Sequence, residues 1–158
     1  MAVFGANEIV PGLWLGDAND AKNGPELRRR GITHVLTVMS DCETPAVGPT
    51  GTWWCATIDD HPQANITKLL PSATQFVHES LLAGKRILVH CAAGISRSAT
   101  VVAATLIRFG KYNVADALQR IRRARPFINP NPGFMTQLHQ FASVYSPHAR
   151  STIQVRQF

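Results

Sequence analysis

Residues 87–98 read Ile-Leu-Val-His-Cys-Ala-Ala-Gly-Ile-Ser-Arg-Ser, and this stretch decides the fold around it. Its first three residues are apolar, and a longer apolar run, Ala99 to Ile107, follows it. A short apolar run bounded by a turn is typical of a buried strand, whereas a longer run suits a helix. The stretch therefore predicts a buried strand, a tight loop and a helix that begins where the loop ends.

The predicted loop has the features of an anion-binding site. The first N–H groups of a helix lack intrahelical acceptors, and the helix dipole adds partial positive charge there. Gly94 lets the backbone approach an oxyanion closely, and Arg97 presents a planar pair of donors for two phosphate oxygens. The candidate phosphate-binding residues are Ala92, Ala93, Gly94, Ile95, Ser96 and Arg97.

Cys91 lies at the start of this loop and is the candidate nucleophile. Thiols at helix N-termini and near cations ionise well below the usual pKa of about 8.5, so we expect a thiolate at neutral pH. His90 points to the opposite face of the strand, because neighbouring strand residues alternate. Ser98, in the first helical turn, can donate to the sulfur. The alternative is a structural buried cysteine, which the arginine and serine at these spacings disfavour.

Residues 90–98 resemble the signature His-Cys-x5-Arg-Ser/Thr of the cysteine-based protein tyrosine phosphatase superfamily, and residues 92–100 resemble its dual-specificity branch. Residues 12–16 are similar to the first strand of that branch, and residues 125–134 together with Gln137-Leu138 to its stretch before the last helix. The resemblance implies hydrolysis of phosphomonoesters through a phosphocysteine intermediate, with no metal or other cofactor.

Such a reaction needs a proton donor for the departing oxygen, and a positioned acid contributes about 10²–10⁴-fold. Asp59 and Asp60 follow the apolar run 54–58, at the strand end where α/β sheets place active sites. The resemblance favours Asp60, because the acid of dual-specificity phosphatases lies five residues before a pair such as Asn65-Ile66. Asp59 is the alternative, and both carboxylates could simply begin a turn.

The remaining runs alternate between strand and helix. Strands are predicted at Leu13–Leu15, Val35–Val38, Trp54–Ile58 and Ile87–Val89, and helices at Gly24–Arg30, Thr67–Ala83, Ala99–Phe109, Asn113–Arg125 and from Asn131 onward. This order predicts an α/β fold with a central, mainly parallel but mixed sheet flanked by helices. The resemblance implies about five strands and the protein tyrosine phosphatase architecture.

Length and composition predict one domain, residues 1–158, with a full core, since 45% of the residues are hydrophobic. Three cysteines without a C-x-x-C pair disfavour a disulfide framework and a structural zinc site. Cys55 could reach Cys91 as a resolving thiol, although a core role is the simpler interpretation. No signal-peptide pattern or bilayer-length apolar run is visible, which predicts a cytoplasmic or nuclear protein without membrane partners.

The resemblance implies a protein phosphatase with a shallow pocket that accepts phosphotyrosine, phosphoserine and phosphothreonine in phosphorylated proteins. We expect a monomer, although the sequence leaves the oligomeric state open. Arginines 120, 122, 123 and 125 form either an ordinary helix surface or a docking patch for phosphorylated or acidic segments. The net charge of +6 attracts any anion, but no stable nucleic-acid complex is expected. One alternative is a phosphatase of phosphoinositides or RNA 5′-phosphates. Relatives that act on such highly charged substrates tend to carry lysines in the loop, where this chain has Ala92, Ala93 and Ile95, so this alternative is disfavoured. The other alternative is a phosphate-binding scaffold without turnover.

Overall fold

The computed structural model describes residues 3–145, which fold around a five-stranded sheet. The strands are β1 (Asn7–Val10), β2 (Leu13–Gly16), β3 (Ile32–Val38), β4 (Thr52–Ala56) and β5 (Arg86–His90). They lie in the order β1-β2-β5-β3-β4, in which β1 pairs antiparallel with β2 and every other pairing is parallel. The prediction of a mainly parallel, mixed α/β sheet is thus confirmed.

Helices cover both faces of this sheet. They are α1 (Ala18–Ala21), α2 (Gly24–Arg29), α3 (Leu70–Leu82), α4 (Arg97–Gly110), α5 (Val114–Ala124) and α6 (Pro132–Tyr145), with a 3-10 turn at Ile66–Lys68. The larger apolar core lies between the sheet and α3 to α6, and a smaller core lies on the side of α1 and α2. None of the helices within residues 3–145 is long and apolar enough to cross a membrane.

The central strand β5 sets the direction of the residues that follow it. Ile87 and Val89 belong to the larger core and Leu88 to the smaller one, as strand alternation requires. His90 continues the face of Leu88, while Cys91 follows the opposite face and begins the loop into α4. Because α4 is buried along most of its length, both ends of this loop are fixed by the core.

Two predicted elements needed correction, and two short elements were missed. The predicted helix 67–83 is divided, and α3 begins only at Leu70, because the ring of Pro71 would clash with the carbonyl of residue 67 in a continuous helix. The predicted strand 54–58 is displaced to 52–56, where β4 pairs in register with β3. The short elements β1 and α1 were not predicted.

Candidate active site

The backbone of residues 91–97, called the Cys91 loop below, turns its carbonyl groups outward onto fixed donors. Five successive carbonyl oxygens, those of residues 91–95, accept hydrogen bonds from His90 Nδ1, Ala18 N, Arg125 Nη2, Arg125 Nε and Asn129 N in that order. Within a planar trans peptide, the C=O of one residue and the N–H of the next point in opposite directions. The N–H groups of residues 92–96 therefore point into the loop, where an oxyanion would lie.

Gly94 is required at the centre of the loop for two reasons. Its φ angle of +68° lies in the left-handed region that side chains disfavour. A Cβ atom there would come within 2.6 Å of the carbonyl oxygen of Gly16 and within 2.5 Å of Arg125 Nη2. Any larger residue would displace the backbone that presents the amides.

The Cys91 sulfur lies within hydrogen-bond distance of two groups of its own loop and helix. It is only 2% exposed, and it accepts a bond of 3.3 Å from the backbone N of Gly94 and lies 3.0 Å from Oγ of Ser98. The hydroxyl of Ser98 can also donate to the sulfur. The structure places Cys91, Ser98 and the inward amides together, as the sequence analysis expected.

His90 is directed away from the sulfur and supports the loop from behind. Trp53 Nε1 donates to Thr37 Oγ1 at 2.8 Å, and that hydroxyl lies 2.8 Å from His90 Nε2. The hydroxyl proton is therefore free to face Nε2, which leaves the ring proton on Nδ1 to donate to the carbonyl oxygen of Cys91 at 3.2 Å. Burial lowers the pKa of His90, in agreement with a neutral ring.

Arg97 lies half-buried at the first turn of α4 and contacts the chain two residues beyond the end of β4. Its Nη1 atom donates to the carbonyl oxygen of Ile58 at 3.0 Å. Its Nε is buried and has no hydrogen-bond partner among the described residues. One edge of the guanidinium is thus held by the protein, and donors remain for an anion.

The two candidate acids lie in the segment 57–65, called the Asp60 loop below, and both are exposed. Asp60 Oδ1 accepts a hydrogen bond of 3.0 Å from Asn131 Nδ2, and the backbone N of Asn131 donates to Ser96 Oγ at 3.0 Å. Asp59 instead accepts a hydrogen bond from Ser40, at the end of β3. The structure therefore links Asp60, and not Asp59, to the Cys91 loop through one residue.

Arg125 corrects the sequence analysis, which grouped it with the surface arginines of α5. It is 3% exposed, and besides the carbonyls of residues 93 and 94 it donates to Gly5 O at 2.9 Å and Asn7 Oδ1 at 2.8 Å. Burial lowers its pKa from the usual value, while the carboxylates of Asp20 and Asp17 oppose that shift. Arg125 is thus the main external support of the Cys91 loop. Nothing in the sequence distinguished it from the exposed arginines before it.

Cysteine pairing also differs from expectation. Cys42, in the loop after β3, and Cys55, in β4, form a disulfide with a Cα–Cα distance of 6.1 Å, while Cys91 remains free. Cys55 is therefore paired away from Cys91. Within residues 3–145, no group of three or more histidine, cysteine or acidic side chains is arranged to hold a metal ion.

Comparison with known proteins places this site in a family. A family model for the dual specificity phosphatase catalytic domain matches residues 13–144. Human Dual specificity protein phosphatase 22 is 36% identical over 137 residues, which cover 87% of this chain and 73% of that protein. The crystal structure of DUSP15 aligns with a TM-score of 0.85 at 34% identity, covering 94% of each chain. The human tyrosine phosphatase-like serine/threonine/tyrosine-interacting protein aligns with a TM-score of 0.83 at 34% identity, covering 89% of this chain and 97% of that one.

Proposed function

Because the chain belongs to the dual specificity phosphatase family, we propose that it hydrolyses phosphotyrosine, phosphoserine and phosphothreonine in proteins, with Cys91 as nucleophile. The observation that carries this proposal is the set of five outward hydrogen bonds of the carbonyls of residues 91–95, from which the inward direction of the amides of residues 92–96 follows. These donors are oriented before substrate arrives, and oriented donors of this kind supply the largest share of stabilisation in many enzymes.

The proposed reaction uses these side chains in two steps. The loop amides and Arg97 hold the phosphate, and the Cys91 sulfur attacks phosphorus while the bond to the substrate oxygen breaks. Asp60 gives its proton to that oxygen. In the second step water attacks the phosphocysteine and gives a proton to Asp60, and the P–S bond breaks. Ser98 Oγ, 3.0 Å from the sulfur, donates to the departing thiolate.

The shape of the loop supports protein substrates over highly charged small ones. Ala92, Ala93 and Ile95 are the exposed residues at the mouth of the loop, and none of them carries charge. A polyphosphorylated inositol or an RNA 5′ end would gain nothing from them beyond its first phosphate. A phosphorylated side chain needs only that one phosphate site together with space for its neighbours.

The basic face of α5 is the proposed docking surface for acidic or phosphorylated substrate segments. Arg120 and Arg123 line a cavity of about 230 Å³ together with Tyr112, Asp116 and Gln119. Reversing both charges (Arg120→Glu with Arg123→Glu) should raise KM for an acidic phosphopeptide and leave KM for 4-nitrophenyl phosphate unchanged. Equal changes on both substrates would argue against docking at this face.

Substitution of Cys91 tests the proposed function. Cys91→Ser should abolish turnover and still bind phosphate, because the amides and Arg97 are retained. If the parent protein hydrolyses 4-nitrophenyl phosphate, it is an enzyme and not a phosphate-binding scaffold. The fold alone does not distinguish the two. Comparing the rates of hydrolysis of phosphopeptides, inositol lipids and triphosphorylated RNA then shows which class of substrate the enzyme prefers. We propose that the protein works as a monomer in the cytoplasm or nucleus.

A further inference from the structure

The first turns of α6 and the residues before them hold the Asp60 loop at three points. Asn131 Nδ2 donates to Asp60 Oδ1 at 3.0 Å. Gln137 Nε2 donates to the carbonyl oxygen of Ala64, at the far end of the loop, at 2.9 Å. Its Oε1 accepts from the backbone N of Thr67, in the 3-10 turn that follows the loop, at 3.0 Å. Gly133 lies against Pro62 between these two contacts.

Asn131 is itself held in one conformation. Its Oδ1 accepts from the backbone N of Phe134 at 2.8 Å, which caps α6, and its own backbone N donates to Ser96 Oγ at 3.0 Å. Ser96 is 5% exposed and belongs to the Cys91 loop. With Oδ1 fixed by the cap, the amide NH₂ group is aimed at Asp60. A single residue thus connects the Cys91 loop with the carboxylate.

Gly133 shows how closely α6 approaches the Asp60 loop. A Cβ atom at this position would overlap the carbonyl of Pro62, and no flexible side chain stands between them. The backbone of the loop therefore rests directly on the helix. A methyl group there must shift either the helix or the segment that carries Asp60.

Asp60 needs such support because it is exposed and lies beyond the end of β4. Within residues 3–145, the contact with Asn131 is the one hydrogen bond made by its side chain. We propose that Asn131 is a positioning residue, which sets Asp60 at its working distance from the Cys91 sulfur before substrate binds. This inference rests on the proposed role of Asp60 as the acid.

The test compares two substrates of similar shape. Phenyl phosphate has a poor leaving group that must be protonated, whereas 4-nitrophenyl phosphate has a leaving group that departs almost unaided. Asn131→Ala should lower kcat/KM for phenyl phosphate by about 10- to 100-fold, the loss expected when a catalytic group is misplaced by up to about 1 Å. It should lower kcat/KM for 4-nitrophenyl phosphate only slightly, because kcat/KM does not include the hydrolysis of the phosphocysteine, which is common to both substrates and also uses Asp60.

Two further variants separate positioning from helix capping. Asn131→Ser keeps a cap acceptor but its hydroxyl is too short to reach Asp60, so it should show the same selective loss with less change in Tm. Asn113 caps α5 in the same way, through a 2.7 Å bond from Asp116 N, far from the Asp60 loop. Asn113→Ala should therefore lower Tm as Asn131→Ala does and leave the ratio of the two rates unchanged.

A double-mutant cycle with Asp60→Asn completes the experiment. If Asn131 acts through Asp60, adding Asn131→Ala to Asp60→Asn should cause no further selective loss on phenyl phosphate. Full additivity of the two losses, or an equal loss on both substrates in Asn131→Ala, would overturn the proposal. Failure of the proposed acid role is recognised separately, because Asp60→Asn alone would then reduce both rates equally.

Gly133→Ala provides an independent variant that touches neither side chain. It should reproduce the selective loss on phenyl phosphate, since it displaces the Asp60 loop from the helix. A fully folded Gly133→Ala protein with the parent's ratio of rates would contradict the inference.

Discussion

Replacing Arg125 tests whether phosphate binding depends on the hydrogen bonds that hold the Cys91 loop in shape. The side chain donates four hydrogen bonds, to the carbonyls of Ala93, Gly94 and Gly5 and to the side chain of Asn7. At a net contribution of about 1 kcal/mol per bond, Arg125→Ala should lower the free energy of unfolding by about 3–5 kcal/mol, including the cost of carbonyls left without donors. A domain with a total stability of about 5–15 kcal/mol should still fold.

The loss of phosphate binding should exceed what instability alone explains. Without Arg125, the carbonyls of Ala93 and Gly94 lose their donors and are free to rotate, and the N–H groups of the next residues turn out of the loop with them. Arg125→Lys should restore little of the lost phosphate binding, because one ammonium group cannot reach both the loop carbonyls and the acceptors on Gly5 and Asn7. We therefore expect both variants to lose affinity for phosphate and orthovanadate at temperatures where they are folded.

The assay is guanidinium unfolding together with calorimetric titration of orthovanadate. Arg123→Ala is the matched control, since Arg123 lies on the same helix and is exposed. It should change neither quantity appreciably. The reasoning is refuted if folded Arg125→Ala binds orthovanadate as the parent does, or if its stability falls by no more than that of the control.

Three further results are expected. Burial lowers the pKa of His90, so below pH about 6.5 the unfolded chain takes up a proton that the folded chain does not. The free energy of unfolding should therefore decrease as the pH is lowered, by at most about 1.4 kcal/mol per pH unit for this group. In denaturant unfolding His90→Gln should reduce this pH dependence, and an unchanged pH dependence would refute the explanation. Mild oxidation followed by peptide mass spectrometry should find Cys42 joined to Cys55, whereas a bond between Cys55 and Cys91 would contradict the structure. Asp59→Asn should slow phenyl and 4-nitrophenyl phosphate equally, because its carboxylate is bound to the end of β3; a selective loss on phenyl phosphate would make Asp59 the acid.

The sequence predicted best where local pattern and tertiary structure agree. The apolar run of β5, the glycine at the turn and the long apolar helix α4 are each recognisable from the chain alone, and together they placed Cys91 and Arg97 correctly in the loop. The parallel sheet followed from the alternation of strands with helices. These elements are long, or are bounded by residues with strong conformational preferences.

What the sequence did not predict depends on distant partners. β1 has four residues, an irregular register with β2 and no clear alternation, so pairing rather than propensity defines it. α1 is equally short and is held by the reciprocal cap of Asp17 and Asp20. Arg125 has the same sequence signature as its exposed neighbours, and only the packing of α5 against the Cys91 loop and the N-terminal segment shows that it is buried.

The pairing of Asp60 with Asn131 was also hidden, because the two residues are 71 positions apart. The resemblance to known phosphatases selected Asp60 by its distance from Asn65-Ile66, but gave no physical reason for the choice over Asp59. The structure supplies one, since the two carboxylates point to different partners.

The most direct measurement is the rate of Cys91 alkylation by iodoacetamide at neutral pH, with and without inorganic phosphate, in the Cys42→Ser/Cys55→Ser protein so that one thiol remains. Phosphate held by the inward amides and Arg97 would cover the sulfur, so it should suppress alkylation in this protein and have little effect once Arg125→Ala is added. Alkylation at the same rate with and without phosphate would contradict the account.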